Sequence, residues 1–339
     1  MNRFTTPVPD DFHLHLRNGP MLWDVLPHTA KWFKRAVVMP NTKPAIRSAA
    51  AAIAYRKEIL NAAHGLGIDG FEPLMTIEIT EEMTPSMIHE ASKADIVAGK
   101  IYPRGRTTNS ADGVLHYELI YPVLGAMQDC DMLALFHGES PEPGVFCLDR
   151  EEAFLETLEQ IALDFPRLRI VMEHVTTKAA VECVKRLPEN VAATITVHHL
   201  FLTLDDVVGD MLSPHHFCKP LAKRPEDCEE LRRTAFSGNP KFFLGTDSAP
   251  HLRGMKECAS GCAGVYTAPV AIPLLFQLFE EQSVLGKFPD FTSRFGADFY
   301  DIPRNEETIT LVRKPWMVLP TYDGVVPFMA GKKLQWWME

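Results

Sequence analysis

Apolar residues recur along the chain in short runs, and between those runs they return every three or four positions. Runs at 12–15, 36–40, 74–79, 96–102, 132–138, 169–175, 192–199 and 242–247 are bounded by turn-forming residues and predict eight β-strands. The helical period at 48–63, 85–91, 113–128, 150–163 and 177–186 predicts helices between them. A longer irregular connection, 203–236, with one helical piece at 226–236, precedes the eighth strand. Strands and helices that alternate in this way predict an α/β chain folded as a (β/α)8 TIM barrel. An open doubly wound sheet is the alternative, and the lack of a G-x-G-x-x-G after an early strand counts against it.

Past the eighth strand about 90 residues remain. An apolar stretch at 268–280 predicts a helix, and 291–295 a shorter one. The tail, 308–339, mixes β-like pieces with Pro315, Pro320 and Pro327, and is expected to pack on the barrel or to finish a small sheet. No Gly/Ser tract divides the chain, so one barrel domain is expected over 1–339, with 265–339 as C-terminal helices and tail.

Composition narrows the function classes. Hydrophobic residues make up 46% of the 339, enough for a large core, and the formal net charge is −10 with no long basic run. An extended nucleic-acid surface is therefore not expected, although local arginines can still serve a small anion. No uninterrupted apolar stretch is long enough to span a membrane, and the N-terminus has no apolar core of a signal peptide. The seven cysteines are odd in number and scattered, which predicts reduced thiols and a cytoplasmic setting, or an organelle if a transit peptide has been removed.

Candidate chemistry begins in Pro9-Asp10-Asp11-Phe12-His13-Leu14-His15-Leu16-Arg17-Asn18-Gly19. Side chains two apart on a strand share a face. His13 and His15 can thus grip one metal ion, and Arg17, at the same parity, suits a carboxylate or phosphate. The ends of the later runs are also polar: Asn41 follows the second, Lys100 and Tyr102 lie in the fourth, and His137 and Glu139 close the fifth. Glu173 and His174 close the sixth, His198 and His199 the seventh, and Asp247 and His251 the eighth. In barrels of this kind, catalytic groups sit at the C-terminal ends of strands. Taken singly, each has an ordinary reading: a hydrogen-bonded core histidine at 137 or 174, a helix N-cap at Asp247, a solvated Lys100, supporting or surface carboxylates at Glu139 and Glu173. Position is what argues otherwise, since four histidines, one lysine and one aspartate converge on one barrel mouth. His89, His198, His199, His215 and His216 are given no role.

The ordered set His-x-His, Lys, His, His, Asp resembles the amidohydrolase superfamily. The stretches 9–19, 39–44, 99–112, 136–139, 173–174 and 245–251 resemble the dihydroorotase family, in its homodimeric bacterial and plant-type form. Thr107-Thr108-Asn109-Ser110 and Thr246-Asp247-Ser248-Ala249-Pro250-His251 are the most specific pieces, and the similarity runs from about residue 3 to 255, more weakly to the end. It implies a hydrolase of pyrimidine biosynthesis that interconverts L-dihydroorotate and N-carbamoyl-L-aspartate. It implies two divalent ions, normally zinc, with His13, His15 and Asp247 on the more buried one, His137 and His174 on the other, and a carboxylated Lys100 bridging both. A hydroxide activated by the two ions would attack the ring carbonyl, with Asp247 as general acid and base. The resemblance assigns substrate contacts to Arg17, Asn41 and His251 at the carboxylate, to Ala263, to His137, to the main chain at Lys219, where many relatives carry Leu, and to Thr107 and Thr108 on a lid. Arg104 and Arg106 on that lid either steer an anionic substrate or form surface ion pairs, and the ion pairs are the expectation. A hydantoinase or allantoinase is the competing enzyme reading, and a catalytically silent scaffold the non-enzymatic one. The Arg17 clamp argues against the first and the complete ligand set against the second.

Overall fold

The computed structural model describes residues 2–339, and Met1, the first residue of the expected 1–339 span, lies outside them. A strand at the N-terminus, β1 (Arg3–Pro7), precedes eight parallel ones: β2 (Asp10–Leu14), β3 (Arg35–Val38), β4 (Glu72–Ile79), β5 (Ala98–Ile101), β6 (Leu133–His137), β7 (Ile170–Glu173), β8 (Val191–Ile195) and β9 (Phe242–Leu244). Each of these eight pairs with the next in sequence order. The circle closes just beyond β9, where Asp247 N–H donates to His13 O at 2.8 Å and His15 N–H to Ser248 O at 3.0 Å. This is the expected (β/α)8 barrel.

The barrel strands are buried on both faces, which is why they read as near-continuous apolar runs. Leu14, Val38, Met75, Ile77, Phe136, Met172 and Ile195 face outward against the helices. Phe12, Val37, Leu74, Leu135, Val171 and Phe243 fill the interior. The floor of that interior is closed by the C-terminal part of the chain. Tyr300, just after the helix Phe295–Phe299, stacks on Phe12 with ring centroids 4.9 Å apart.

Three expected helices begin at a capping side chain or a proline: Ser48 caps Ala49–Gly65, Thr177 caps Lys178–Arg186, and Pro85 is the first residue of Pro85–Lys93. The helix expected at 113–128 starts later, as a 3-10 turn at Tyr117–Ile120 that runs into Tyr121–Asp129. Residues 113 and 114 are claimed by the loop before them, where Val114 N–H donates to Tyr102 O at 2.8 Å. The helix Pro20–Ala30 lies in a stretch for which no helix was expected.

The tail finishes a small sheet, and its composition was not expected. β10 (Thr308–Met317) pairs with β11 (Lys333–Met338) on one side and with β1 on the other. The two ends of the chain are thus joined in one antiparallel sheet. Pro315 sits where the β10–β11 register shifts between Arg313 and Trp316, the kind of irregularity in which a strand tolerates a residue without an N–H.

Candidate active site

The register of β2 against β3 shifts between Asp11 and Leu14. A bulge of this kind breaks the strict alternation of side chains. Phe12 consequently packs in the barrel interior while its neighbour His13 also turns inward, to the pocket, followed at the expected parity by His15 and Arg17. Gly245 makes room for this: a Cβ there would lie 2.8 Å from His13 Cβ and 2.9 Å from Thr194 Cβ. Asp11 holds the bulge against β9 by accepting from Thr246 N–H at 2.8 Å and from the Thr246 hydroxyl at 2.6 Å. Three residues at the mouth, Arg17, His174 and Asp247, have φ of 61°, 43° and 44°. Such values are uncommon without glycine and mark local strain held in place by the surrounding fold.

The imidazoles and carboxylates meet closely. Glu173 Oε2 accepts from His13 Nδ1 at 2.7 Å, and Asp247 Oδ1 lies 3.4 Å from His13 Nε2 and 3.1 Å from His15 Nε2. The rings of His137 and His174 are 4.7 Å apart, and those of His13 and His174 5.0 Å. Burial pushes His15 down to about 4 and lowers His137 and His174 as well, so these three are neutral with lone pairs available near neutral pH. Burial opposes the charge of Asp247 too, but the two histidines outweigh it and hold the carboxyl well below its usual range. Lys100 is fully buried, its Nζ has no hydrogen-bond partner among the described residues, and burial lowers it to about 8 against the pull of Glu173 and Asp247.

These residues fit divalent ions. His13 Nδ1 is committed to Glu173 at 2.7 Å, and His13 Nε2 and His15 Nε2 converge on one oxygen of Asp247. The ligand atoms of His13, His15 and Asp247 lie within 4.8 Å of one another. Their closest separations, 3.1 and 3.4 Å, are those of neighbouring donors around one ion with bonds of about 2.0–2.2 Å. His174 Nδ1 is buried and unpartnered beside them, as is Lys100 Nζ.

The pocket these groups face is also lined by Asn41, Tyr102, Thr107, Thr108, Lys219, Ala249, Ala263 and Gly264. At one end Arg17 Nε donates to Pro250 O at 3.0 Å, and Arg17 Nη2 lies 3.0 Å from His251 Nε2. That same His251 nitrogen lies 3.0 Å from Ala263 O. One ring nitrogen cannot both accept from Arg17 and donate to Ala263, so a polar group remains unmet here, ready for an anionic acceptor. All the expected site residues except His251 line the pocket or, in the case of Lys100, lie buried next to its ligands; His251 reaches it through Arg17.

The loop 104–110, expected as a lid, lines the pocket through Thr107 and Thr108 and is fastened on both sides. Asn109 Nδ2 donates to Asn41 O at 3.0 Å, and Asn41 Nδ2 to Thr108 O at 3.4 Å. Arg104 forms the expected ion pair, with Glu81 at 2.7 Å. Arg106 does not form one: it donates to the main-chain oxygens of Ser140, Pro141 and Glu142 at 3.0, 2.5 and 2.6 Å.

Sequence reasoning left Glu139 and Glu173 undecided between supporting and surface positions. Both are buried, Glu139 Oε2 accepting from His137 Nε2 at 2.6 Å as Glu173 does from His13. A carboxylate on the far nitrogen fixes the tautomer and raises the basicity of a metal-binding histidine. Thr194 extends the chain, donating to Glu173 Oε2 at 2.6 Å. Tyr102 was not singled out as a contact, yet it lines the pocket with its hydroxyl buried and unpartnered. His198 and His199 follow β8 in a 3-10 turn and line no part of this pocket. With Cys218 they form a second group of possible ligands, but His199 Nε2 donates to Pro220 O at 3.2 Å, its Nδ1 accepts from Thr196 at 2.8 Å, and Cys218 donates to Pro220 O at 3.3 Å. These bonds fasten the 218–220 segment.

No family model matches the chain. It is 48% identical to a dihydroorotase of Idiomarina loihiensis over 342 aligned positions, covering 99% of each. Its fold is similar to that of a solved dihydroorotase from Campylobacter jejuni, with a TM-score of 0.91 and 41% identity over 100% of this chain and 98% of that one. It is also similar to a dihydroorotase from Saccharomyces cerevisiae solved in complex with 5-fluoroorotic acid, with a TM-score of 0.93 and 36% identity over 100% and 99%.

Proposed function

Because the chain belongs to the dihydroorotase family, cyclic amide hydrolases of pyrimidine biosynthesis, we propose that the pocket at the C-terminal end of the barrel opens and closes the L-dihydroorotate ring on divalent ions. The observation that carries the assignment of roles is the convergence of His13 and His15 on one oxygen of Asp247, beside an unpaired buried Lys100 and with Arg17 at the far end.

His13, His15 and Asp247 would hold one ion, His137 and His174 the other, and Lys100, carboxylated on Nζ, would bridge them. Ions held there supply Lewis acidity and make a nearby water easier to ionise. Zinc suits this set of imidazole and carboxylate donors. Arg17, Asn41 and His251 bind the substrate carboxylate and fix which ring carbonyl faces Asp247. The 5-fluoroorotic acid bound to the yeast relative carries a carboxylate of the same kind. In hydrolysis, water adds to the ring carbonyl, the carbon–nitrogen bond breaks, and Asp247 moves a proton from the water to the departing nitrogen. In ring closure, Asp247 takes the proton of the attacking amide. Its oxygen Oδ1 meets both histidines, which leaves Oδ2 for the proton. The main chain at Lys219 and Ala263 lines the ring, His137 contacts it from the metal side, and Thr107 and Thr108 donate from the lid and keep bulk water out.

Other properties go with this reading. The seven free thiols support a reducing, cytoplasmic compartment. No helix among the described residues is long and apolar enough to cross a membrane. Exposed Phe146, Val208 and Leu212 line one groove, an apolar surface of the kind that the expected homodimer would cover.

The direct test is incubation with L-dihydroorotate while the absorbance of the cyclic compound is followed. Loss of absorbance that stops with chelator and returns with divalent ions is expected. Opening of a neutral hydantoin with no action on L-dihydroorotate would favour the hydantoinase reading instead.

Arg17→Met is expected to weaken substrate binding and leave both ions in place, because the guanidinium meets the carboxylate and not the metal ligands. Removing one partner of a buried charge pair costs on the order of 2–5 kcal/mol, seen here as a raised KM. An unchanged kcat/KM at unchanged metal content, measured by mass spectrometry, would remove Arg17 from the clamp.

A further inference from the structure

Two irregular segments, 217–220 and 262–264, build one wall of the pocket, through Lys219 from the first and Ala263 and Gly264 from the second. They are joined directly by a main-chain bond, Gly264 N–H to Phe217 O at 2.8 Å. Lys256, which ends the short helix Arg253–Lys256, joins them a second time from behind. Its side chain is 5% exposed. Nζ donates to Phe217 O at 3.0 Å, to Cys262 O at 3.0 Å, and to Gly264 O in a short bond. An ammonium has three N–H donors, and all three are in use on main-chain oxygens of the wall.

The consequence reaches the substrate. Across a trans peptide the carbonyl and the N–H point opposite ways. With Cys262 O drawn to Lys256, the N–H of Ala263 faces away from the ammonium. The next carbonyl, Ala263 O, lies 3.0 Å from His251 Nε2, so two successive peptides are held from different sides. Ala263 N–H has no hydrogen-bond partner among the described residues. The Lys256 charge also acts on His251, which burial, Arg17 and Lys256 together lower to about 3, keeping it a neutral ring beside the clamp.

We propose that Lys256 is a positioning residue of the carboxylate subsite. It orients the Cys262–Ala263 peptide so that the Ala263 N–H is presented to the substrate beside Arg17, and it adds a second buried positive charge to the end of the pocket that takes the anion. It touches neither the ions nor the reacting carbonyl, so its loss should act on binding and spare the chemistry. This inference rests on L-dihydroorotate as substrate.

The test compares Lys256→Met, Lys256→Gln and Lys256→Arg in the full-length, metal-loaded enzyme, with KM and kcat for L-dihydroorotate, metal content and thermal unfolding measured together. In Lys256→Met, KM is expected to rise by about tenfold or more, kcat to stay within about threefold, and metal content to be unchanged, since three buried acceptors lose a charged donor. Lys256→Gln restores part of the hydrogen bonding without the charge and should fall between Met and wild type, while Lys256→Arg should return KM to within about threefold of wild type. A folded Lys256→Met or Lys256→Gln with wild-type KM overturns the proposal, as does a fall in kcat with loss of metal. If neither neutral variant folds while the Arg variant folds and binds normally, Lys256 serves stability alone and the proposal is equally overturned. A wild-type enzyme inert toward L-dihydroorotate would overturn the substrate reading instead, a result read in the control before any variant.

Discussion

Asp247→Asn is expected to lower kcat by about 10²–10⁴-fold, the usual worth of a positioned general base, with metal content close to that of the wild type. The substitution keeps the side chain's shape and one oxygen. It removes the charge that His13 and His15 stabilise from 3.4 and 3.1 Å, and with it the oxygen proposed to carry the proton between water and ring nitrogen. The carboxyl is held well below its ordinary range, so in the wild type it is ionised throughout the neutral range and available as a base in both directions. Steady-state kinetics in each direction, with metal counted on the same preparation, checks the expectation. A variant that keeps more than about a tenth of the wild-type kcat would show that another group moves the proton.

Lys100→Ala is expected to remove both activity and at least one ion. Removing a group that merely supports a metal ligand costs about 10–100-fold, and loss of a bridging ligand should exceed that. A charged ammonium at this position would be repelled by both cations, and it has no hydrogen-bond partner to offset its burial. Burial already lowers it to about 8, which leaves a useful fraction as the neutral amine that reacts with CO2. A carbamate there would replace a positive group with a negative one whose two oxygens could each meet an ion. Short carboxylic acids, supplied in bicarbonate-free buffer, should restore part of both metal content and activity in Lys100→Ala. A high-resolution map with two ions properly bound to an unmodified Lys100 would falsify the bridge and leave the fold untouched.

The strand count, the alternation with helices and the position of each polar group at a strand end were legible in the sequence, because hydrophobic period and strand ends are local properties of the chain. The parity of His13, His15 and Arg17 was legible for the same reason. That Phe12 and His13 both turn inward was not, because the bulge that permits it depends on a partner strand and on Gly245 and Asp11 far along the chain. The backbone of Arg17, His174 and Asp247 likewise takes positive φ values that no local preference of Arg, His or Asp specifies.

The sequence by itself therefore determined the barrel, the family and the identity of the residues that carry charge and lone pairs. Tertiary structure decided the rest. Glu173 became the partner of His13 at 2.7 Å because the closed barrel brings the ends of β7 and β2 together across its interior, and Glu139 met His137 at 2.6 Å because the chain turns just after β6, where Glu139 N–H donates to His137 O at 2.9 Å; burial made both contacts strong. Arg106 took three main-chain oxygens where a surface ion pair was expected, because the loop 140–142 lies against the lid. β1, β10 and β11 formed one sheet because the ends of the chain meet in space. Apart from the His137–Glu139 pair, each deciding contact joins residues distant in sequence, and the strength of the buried ones comes from the exclusion of water, which depends on the whole fold and on no single stretch of it.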